Sequence, residues 1–395
     1  MTSIRSLAAR GGALALLAGL SLAPMLQPFG NAALMARPPA QAPGELVETI
    51  DLPDIDPVIR DTGARAVRLR YRSTSAWHKA PVIVSASAFI PAGTPPAGGW
   101  PIIGFAHGTT GIRQECGPSL SPNLFGGAAM MAALIKQGFA VVATDYEGLG
   151  EPGVHDYLNA HAAGMNVIDS VRALRQVRPD ALSSRWLALG ASQGGAAVWA
   201  ADEEAAARAP DLQLVGAVSL VPAANFDAYP DLAAAGKLGP EQRGAYIWLL
   251  MSLARGHPSL NLDLYRHGSA ARNWQTLSYC FGPHAEERNA ALAQVTNDEL
   301  KPATAEATRR LKALISPMSL PQGRTTAPML VIYAGHDEFL DPAWTRAAIA
   351  AACKTGSQIE ADFQPDKGHN GVDVAPAVSW IAARFTGVPV TAKCG

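Results

Sequence analysis

The sequence predicts an α/β fold whose mostly parallel sheet is interrupted late in the chain by a helical insert. Three observations carry this. Short unbroken apolar runs alternate with helical stretches through the first half, no comparable run occurs between residues 223 and 324, and the alternation resumes at Pro328. Short apolar runs are what strands buried on both faces require, and their alternation with helices is the pattern of parallel β-α units.

The elements follow in order. Residues 37–57 are rich in proline with little periodicity and read as an extended lead-in. Residues 64–71 alternate apolar with basic side chains, and with 81–90 they predict outer, antiparallel strands. Residues 101–106 and 140–144 predict buried parallel strands around a helix at 127–137. A helix over 160–177, a strand at 186–190, a helix through 207 and a strand at 214–220 continue the series. The insert carries helical candidates at 241–255, 285–294 and 297–315. The sheet then resumes at 328–335, with a helix at 342–353, a strand at 357–363 and a last helix at 373–385. Because the sheet resumes, both ends of the insert stay on one scaffold. The expected division is a core over 37–222 and 325–395, with a cap over 223–324.

Composition bounds the partners. Of 395 residues 48% are hydrophobic and 16% charged, with net charge -1, which gives no basic footprint for nucleic acid and favours a neutral or apolar small molecule or lipid. Arg5 and Arg10 precede an apolar run over 12–23 that Pro24 breaks. This has the shape of a secretory signal peptide, and the run is shorter than the ~20 residues a spanning helix needs. Residues 1–36 are read as that leader, with cleavage between Ala33 and Ala42, giving a secreted or periplasmic protein. Cys116, Cys280, Cys353 and Cys394 all follow it, and an even number in an exported chain points to two disulfides. None forms a C-x-x-C pair or has a histidine at ligand spacing, so no metal or cofactor is expected.

The chemistry centres on Gly190-Ala-Ser192-Gln193-Gly194, between an apolar run and an alanine-rich segment. A G-x-S-x-G at a strand–turn–helix junction is the nucleophile elbow of an α/β hydrolase, since glycines beside the serine remove side chains that would clash in the turn. The helix after it aims free N–H groups back at the turn. Ser192 is therefore the candidate nucleophile. Its base and acid should follow in the order Ser, Asp/Glu, His. His369, in a glycine-flanked loop, is the one histidine beyond His336, which itself reads as a loop residue. Asp337 stands closest to the end of the preceding strand, Glu338 is the alternative acid, and Asp341 before Pro342 reads as a helix cap. An oxyanion would meet the N–H of Gln193 and that of Gly108 or Thr109 in the loop His107-Gly-Thr-Thr-Gly111. His107 precedes the serine and belongs to this loop rather than serving as base. Asp145 and Glu147 either line the site or form a structural turn, and the aromatic and methionine residues of 246–253 either meet an acyl chain or pack their helix into the core.

Together the His107 loop with Cys116-Gly-Pro-Ser after it, Asp145-Tyr-Glu-Gly-Leu-Gly, the Ser192 elbow, Asp337-Glu and Gly368-His369 resemble the secretory lipase family over most of the chain beyond the leader. The resemblance implies an α/β-hydrolase core with a helical cap, and hydrolysis of acylglycerols or simpler carboxylic esters. It also implies one disulfide between the oxyanion region and the cap, mapping onto Cys116 and Cys280, and a C-terminal one, mapping onto Cys353 and Cys394. Any contact with a lipid interface would be made through the cap. Yeast members carry an acidic residue in the oxyanion loop where this chain has Gly-Thr-Thr, so substrate range does not carry over. The expectation is an exported serine ester hydrolase. The same residues also suit an acyltransferase or peptidase, or a binding protein that kept the fold, against which the intact Ser192, Asp337 and His369 argue.

Overall fold

Nine strands join in one sheet in the computed structural model, which describes residues 42–390. They are β1 (Leu46–Asp51), β2 (Arg65–Thr74), β3 (Pro81–Ile90), β4 (Trp100–Ala106), β5 (Ala140–Thr144), β6 (Leu182–Ala191), β7 (Gln213–Leu220), β8 (Met329–His336) and β9 (Ile359–Gly368). Their order is β1-β2-β3-β5-β4-β6-β7-β8-β9, antiparallel through β5 and parallel from β5 to β9. The leader with its cleavage site, and Cys394 with its expected bond to Cys353, lie outside the described residues.

Side-chain pattern accounts for each position in the sheet. Every residue of β5 is buried, as a strand covered on both faces demands. In β2, Val67, Leu69 and Tyr71 are buried while the alternating arginines stay partly exposed. Strand β1 forms within the extended lead-in expected at 37–57. It is an edge strand with almost no apolar pattern, held by pairing with β2 and by the ion pair of Arg70 with Glu48 at 2.8 Å.

Helices cover both faces. Residues of α1 (Ala128–Lys136), such as Met131 and Leu134, share a core with Trp380 of the C-terminal helix. On the other face α2 (Ala160–Val177) and α3 (Gln193–Arg208) contribute Val167, Ile168 and Trp199 to a larger core that continues into the insert. Between β7 and β8 no strand occurs among the described residues; the longer helices there are α4 (Pro240–Gly256), α5 (Ala285–Ala293) and α6 (Ala305–Ile315). The single helix expected at 297–315 is shorter than its periodicity suggested. Pro302 precedes it, and the helix starts only where the Thr304 side chain accepts the N–H of Ala307 at 3.0 Å. After β8 come α7 (Pro342–Lys354) and, beyond β9, α8 (Ala375–Phe385).

The Cys116–Cys280 disulfide implied by the resemblance is formed, across a Cα–Cα distance of 5.3 Å. It ties the insert to the loop beyond β4. Next to it the N–H of Phe281 donates to the carbonyl of Thr110 at 2.8 Å.

Candidate active site

Strand β6 ends at Ala191 and α3 begins at Gln193, so Ser192 alone makes the turn, at φ 58° and ψ -117°. A positive φ at a non-glycine residue costs ~1–3 kcal/mol and persists only where neighbours enforce it. Here they do: Ser192 N–H donates to Leu220 O at 2.9 Å, and its carbonyl accepts from Ala196 and Ala223, each at 3.1 Å. The flanking glycines are required by close approach. A Cβ on Gly194 would run into the carbonyl of Ala106, and one on Gly190 into the backbone of Gly194.

Ser192 and His369 line one cavity of about 1010 Å³, together with residues of the insert including Trp248. His369, in the loop after β9, donates from Nδ1 to Asp337 Oδ2 at 2.7 Å, and both side chains are buried. The other oxygen of Asp337 accepts the N–H groups of Phe339 and Leu340, both at 2.9 Å, which fixes the carboxylate. Its neighbours are occupied elsewhere. Glu338 accepts the backbone N–H of His369 at 3.2 Å, Asp341 caps α7 through the N–H of Ala343 at 2.8 Å, and His336 is exposed at the end of β8. With Nδ1 committed to Asp337, Nε2 of His369 is left to carry a proton to or from a group in the cavity.

Gln193 is the first residue of α3, where a backbone N–H has no intrahelical acceptor. Gly108 and Thr109 line the same cavity. A buried chain of hydrogen bonds holds this corner. His155 Nδ1 donates to the carbonyl of Glu147 at 3.1 Å, and its Nε2 accepts from the Gln193 side-chain amide at 2.9 Å. Thr109 Oγ1 lies 3.4 Å from Gln193 Oε1, to which it donates, and accepts from the Tyr157 hydroxyl at 3.0 Å. Burial pushes the pKa of His155 down to about 3 and that of Tyr157 up to about 12, so both stay neutral. Sequence reasoning missed both residues. They fall in an irregular polar stretch with no periodicity to separate a buried polar side chain from a solvated one.

Asp145 does not line the cavity. It is fully buried and accepts from Ser85 Oγ at 2.6 Å, from the Ser119 N–H at 2.8 Å and from the Ser119 hydroxyl, pinning the turn after β5 to the segment beyond Cys116. Glu147 accepts the N–H of Ala76 at 3.1 Å and is likewise part of that turn. The ring nitrogens of His107 face the carbonyls of Gly108 and Asp145, and burial lowers its pKa. Of the stripe at 246–253, Trp248 reaches the cavity while Tyr246, Ile247 and Leu249 are buried in the core of the insert. Among the described residues, no group of three His, Cys, Asp or Glu side chains is placed to hold a metal ion.

Residues 126–393 match the model of the family described as secretory lipase. The chain belongs to the secretory lipase family. Membership makes it a hydrolase of ester bonds of the lipase/esterase kind, and export fits the family's name. This lipase-family chain is similar in structure to lipase A of Candida antarctica in its closed state. The TM-score is 0.71 at 18% identity, over 89% of this chain and 84% of that one. It is also similar to the rice cell wall degrading esterase LipA of Xanthomonas oryzae, with a TM-score of 0.65 at 17% identity, over 88% of this chain and 97% of that one. At such identities the likeness shows the α/β-hydrolase fold. Comparison with curated protein sequences gives no match.

Proposed function

We propose that the protein is an exported serine hydrolase of carboxylic esters, acylglycerols or simpler esters, working through a covalent acyl-enzyme. The observation that carries the reading is the cavity shared by a serine on a strained strand-to-helix turn and a histidine whose other nitrogen is bonded to a buried carboxylate. In the first half-reaction Ser192 Oγ adds to the ester carbonyl as His369 Nε2 takes its proton. The tetrahedral oxyanion is held by the N–H of Gln193 with that of Gly108 or Thr109. Collapse breaks the acyl C–O bond, and the departing alcohol takes the proton back from His369. Water, deprotonated by His369, then cleaves the acyl-enzyme and releases the acid. Asp337 keeps the imidazole in the Nδ1–H tautomer and stabilises the cation formed in both halves. Residues 223–324 form the cap that covers this chemistry, and residues 1–36 the leader that directs export.

The test is hydrolysis of a p-nitrophenyl ester series by the mature protein and by Ser192→Ala. The substitution opens no core cavity, so a folded protein is expected with kcat lowered ~10⁴–10⁶-fold. Retention of a tenth of the activity would overturn the assignment.

A further inference from the structure

A cation stands in the catalytic cavity without a counter-ion. Arg288, on α5, is 4% exposed and lines the same cavity as Ser192 and His369. Its guanidinium carbon lies 4.0 Å from the ring centre of Trp248 and 4.9 Å from that of Phe281, packed against two aromatics of the insert that also line the cavity. Among the described residues it makes no ion pair: its Nη1 reaches only the amide oxygen of Asn289 at 3.3 Å, and its buried Nε has no partner. Aromatic faces hold a cation without using its N–H donors, so the fork stays available. Room for the head is built in. Gly244 on α4 faces it, and a Cβ there would come within 3.0 Å of Nη2.

The charge around the fork points the same way. Glu241, exposed at the start of α4, is the one carboxylate among the described residues lining the cavity; it forms no ion pair with Arg288 and affects it only through space. Arg243 lines the same wall and adds a second positive charge, with its buried Nε also unpartnered. Burial lowers the pKa of Arg288 to about 10, which still leaves it charged at neutral pH. A desolvated, unpaired cation is costly to a fold, and a carboxylate delivered by the substrate relieves that cost.

We infer that Arg288 is an anion-binding subsite of the catalytic cavity, and that the preferred substrates are esters bearing a carboxylate at the end remote from the scissile bond. This rests on the ester-hydrolase reading above and narrows its substrate class. A planar guanidinium pairs with a carboxylate through two parallel hydrogen bonds, which a neutral chain end of the same length cannot form.

The experiment compares kcat/KM for matched esters that differ in one terminal group. With the charge on the acyl side, the pair is mono-p-nitrophenyl suberate and p-nitrophenyl octanoate. With it on the alcohol side, the pair is the acetate of 6-hydroxyhexanoic acid and hexyl acetate. A charge-assisted, desolvated pair predicts a preference of roughly 10- to 100-fold for the charged member of at least one pair. Arg288→Met, which keeps length and apolar contact, is expected to bring that ratio to within threefold of unity, and Arg288→Lys to retain part of it. Wild-type protein that hydrolyses the neutral esters at least as well as both charged ones overturns the proposal and leaves the ester-hydrolase reading standing. So does a preference that survives in Arg288→Met. Hydrolysis of none of the four overturns that reading and the proposal with it.

Discussion

Asp337 meets His369 at 2.7 Å, whereas Asp341, four residues further on, gives its carboxylate to the N–H of Ala343. Two aspartates in one short loop thus have separable duties. Asp337→Asn should lower kcat about 10⁴-fold with little loss of fold, because an amide there favours the wrong imidazole tautomer. Asp341→Asn should keep nearly full activity, and Asp341→Ala should lose about 1 kcal/mol of stability with the cap. Steady-state kinetics and urea unfolding of the three variants check this; a dead Asp341→Asn with an active Asp337→Asn would reverse the roles.

The sheet, the turn at Ser192 and the pairing of Asp337 with His369 were legible in the sequence because each rested on a local pattern. Unbroken apolar runs marked β4, β5, β7 and β8, and the glycines around Ser192 marked the turn. Strand β1 was not legible, since an edge strand held by backbone pairing needs no apolar alternation. Neither was the chain from Glu147 through His155 to Gln193 and Thr109. Those contacts join residues far apart in sequence, and burial alone makes their polar groups matter.

That chain yields a second prediction. His155→Leu removes the acceptor of the Gln193 amide at the start of α3 and should lower kcat ~10- to 100-fold, less than the loss of an oxyanion donor itself. KM should move little. Because burial holds the His155 pKa at about 3, His155 does not titrate between pH 5 and 8, and the two proteins should lose activity in parallel on acidification. Paired pH–rate profiles whose ratio changes over that range would contradict this.

Stability against pH carries a signature of Asp202. This buried carboxyl on α3 accepts the N–H groups of Thr326 and Ala327 at 2.9 and 2.8 Å, its other oxygen has no partner, and burial raises its pKa to about 7. The folded value lies above the ordinary 3.8, so the group's contribution is complete below pH 3.8 and is lost as pH rises towards 7. Asp202→Asn, which cannot ionise, should be spared that loss. Its melting temperature relative to wild type should climb between pH 4 and 7 and then level, by up to a few kcal/mol in stability. A difference independent of pH would refute the assignment.

The Cys116–Cys280 bridge spans 164 residues of chain and joins the insert to the loop beyond β4. In the chain-entropy account such a long loop is worth about 5 kcal/mol. Cys280→Ser should lower the denaturation midpoint accordingly and broaden acyl-chain selectivity, as the cap gains freedom over the cavity. Wild type under reducing conditions should show the same two changes, and an unchanged midpoint in both would contradict this role.

Strands β7 and β8 lie side by side from the Ala217–Met329 pair to the Leu220–Ile332 pair, although the whole insert separates them along the chain. Pairing them means closing that loop first, an entropic cost incurred before any contact there compensates it. Ser192 lies before the insert, whereas β8, β9 and the loops bearing Asp337 and His369 lie beyond it. On the proposed mechanism, a chain in which β7 and β8 have not yet paired holds Ser192 apart from His369 and is inactive.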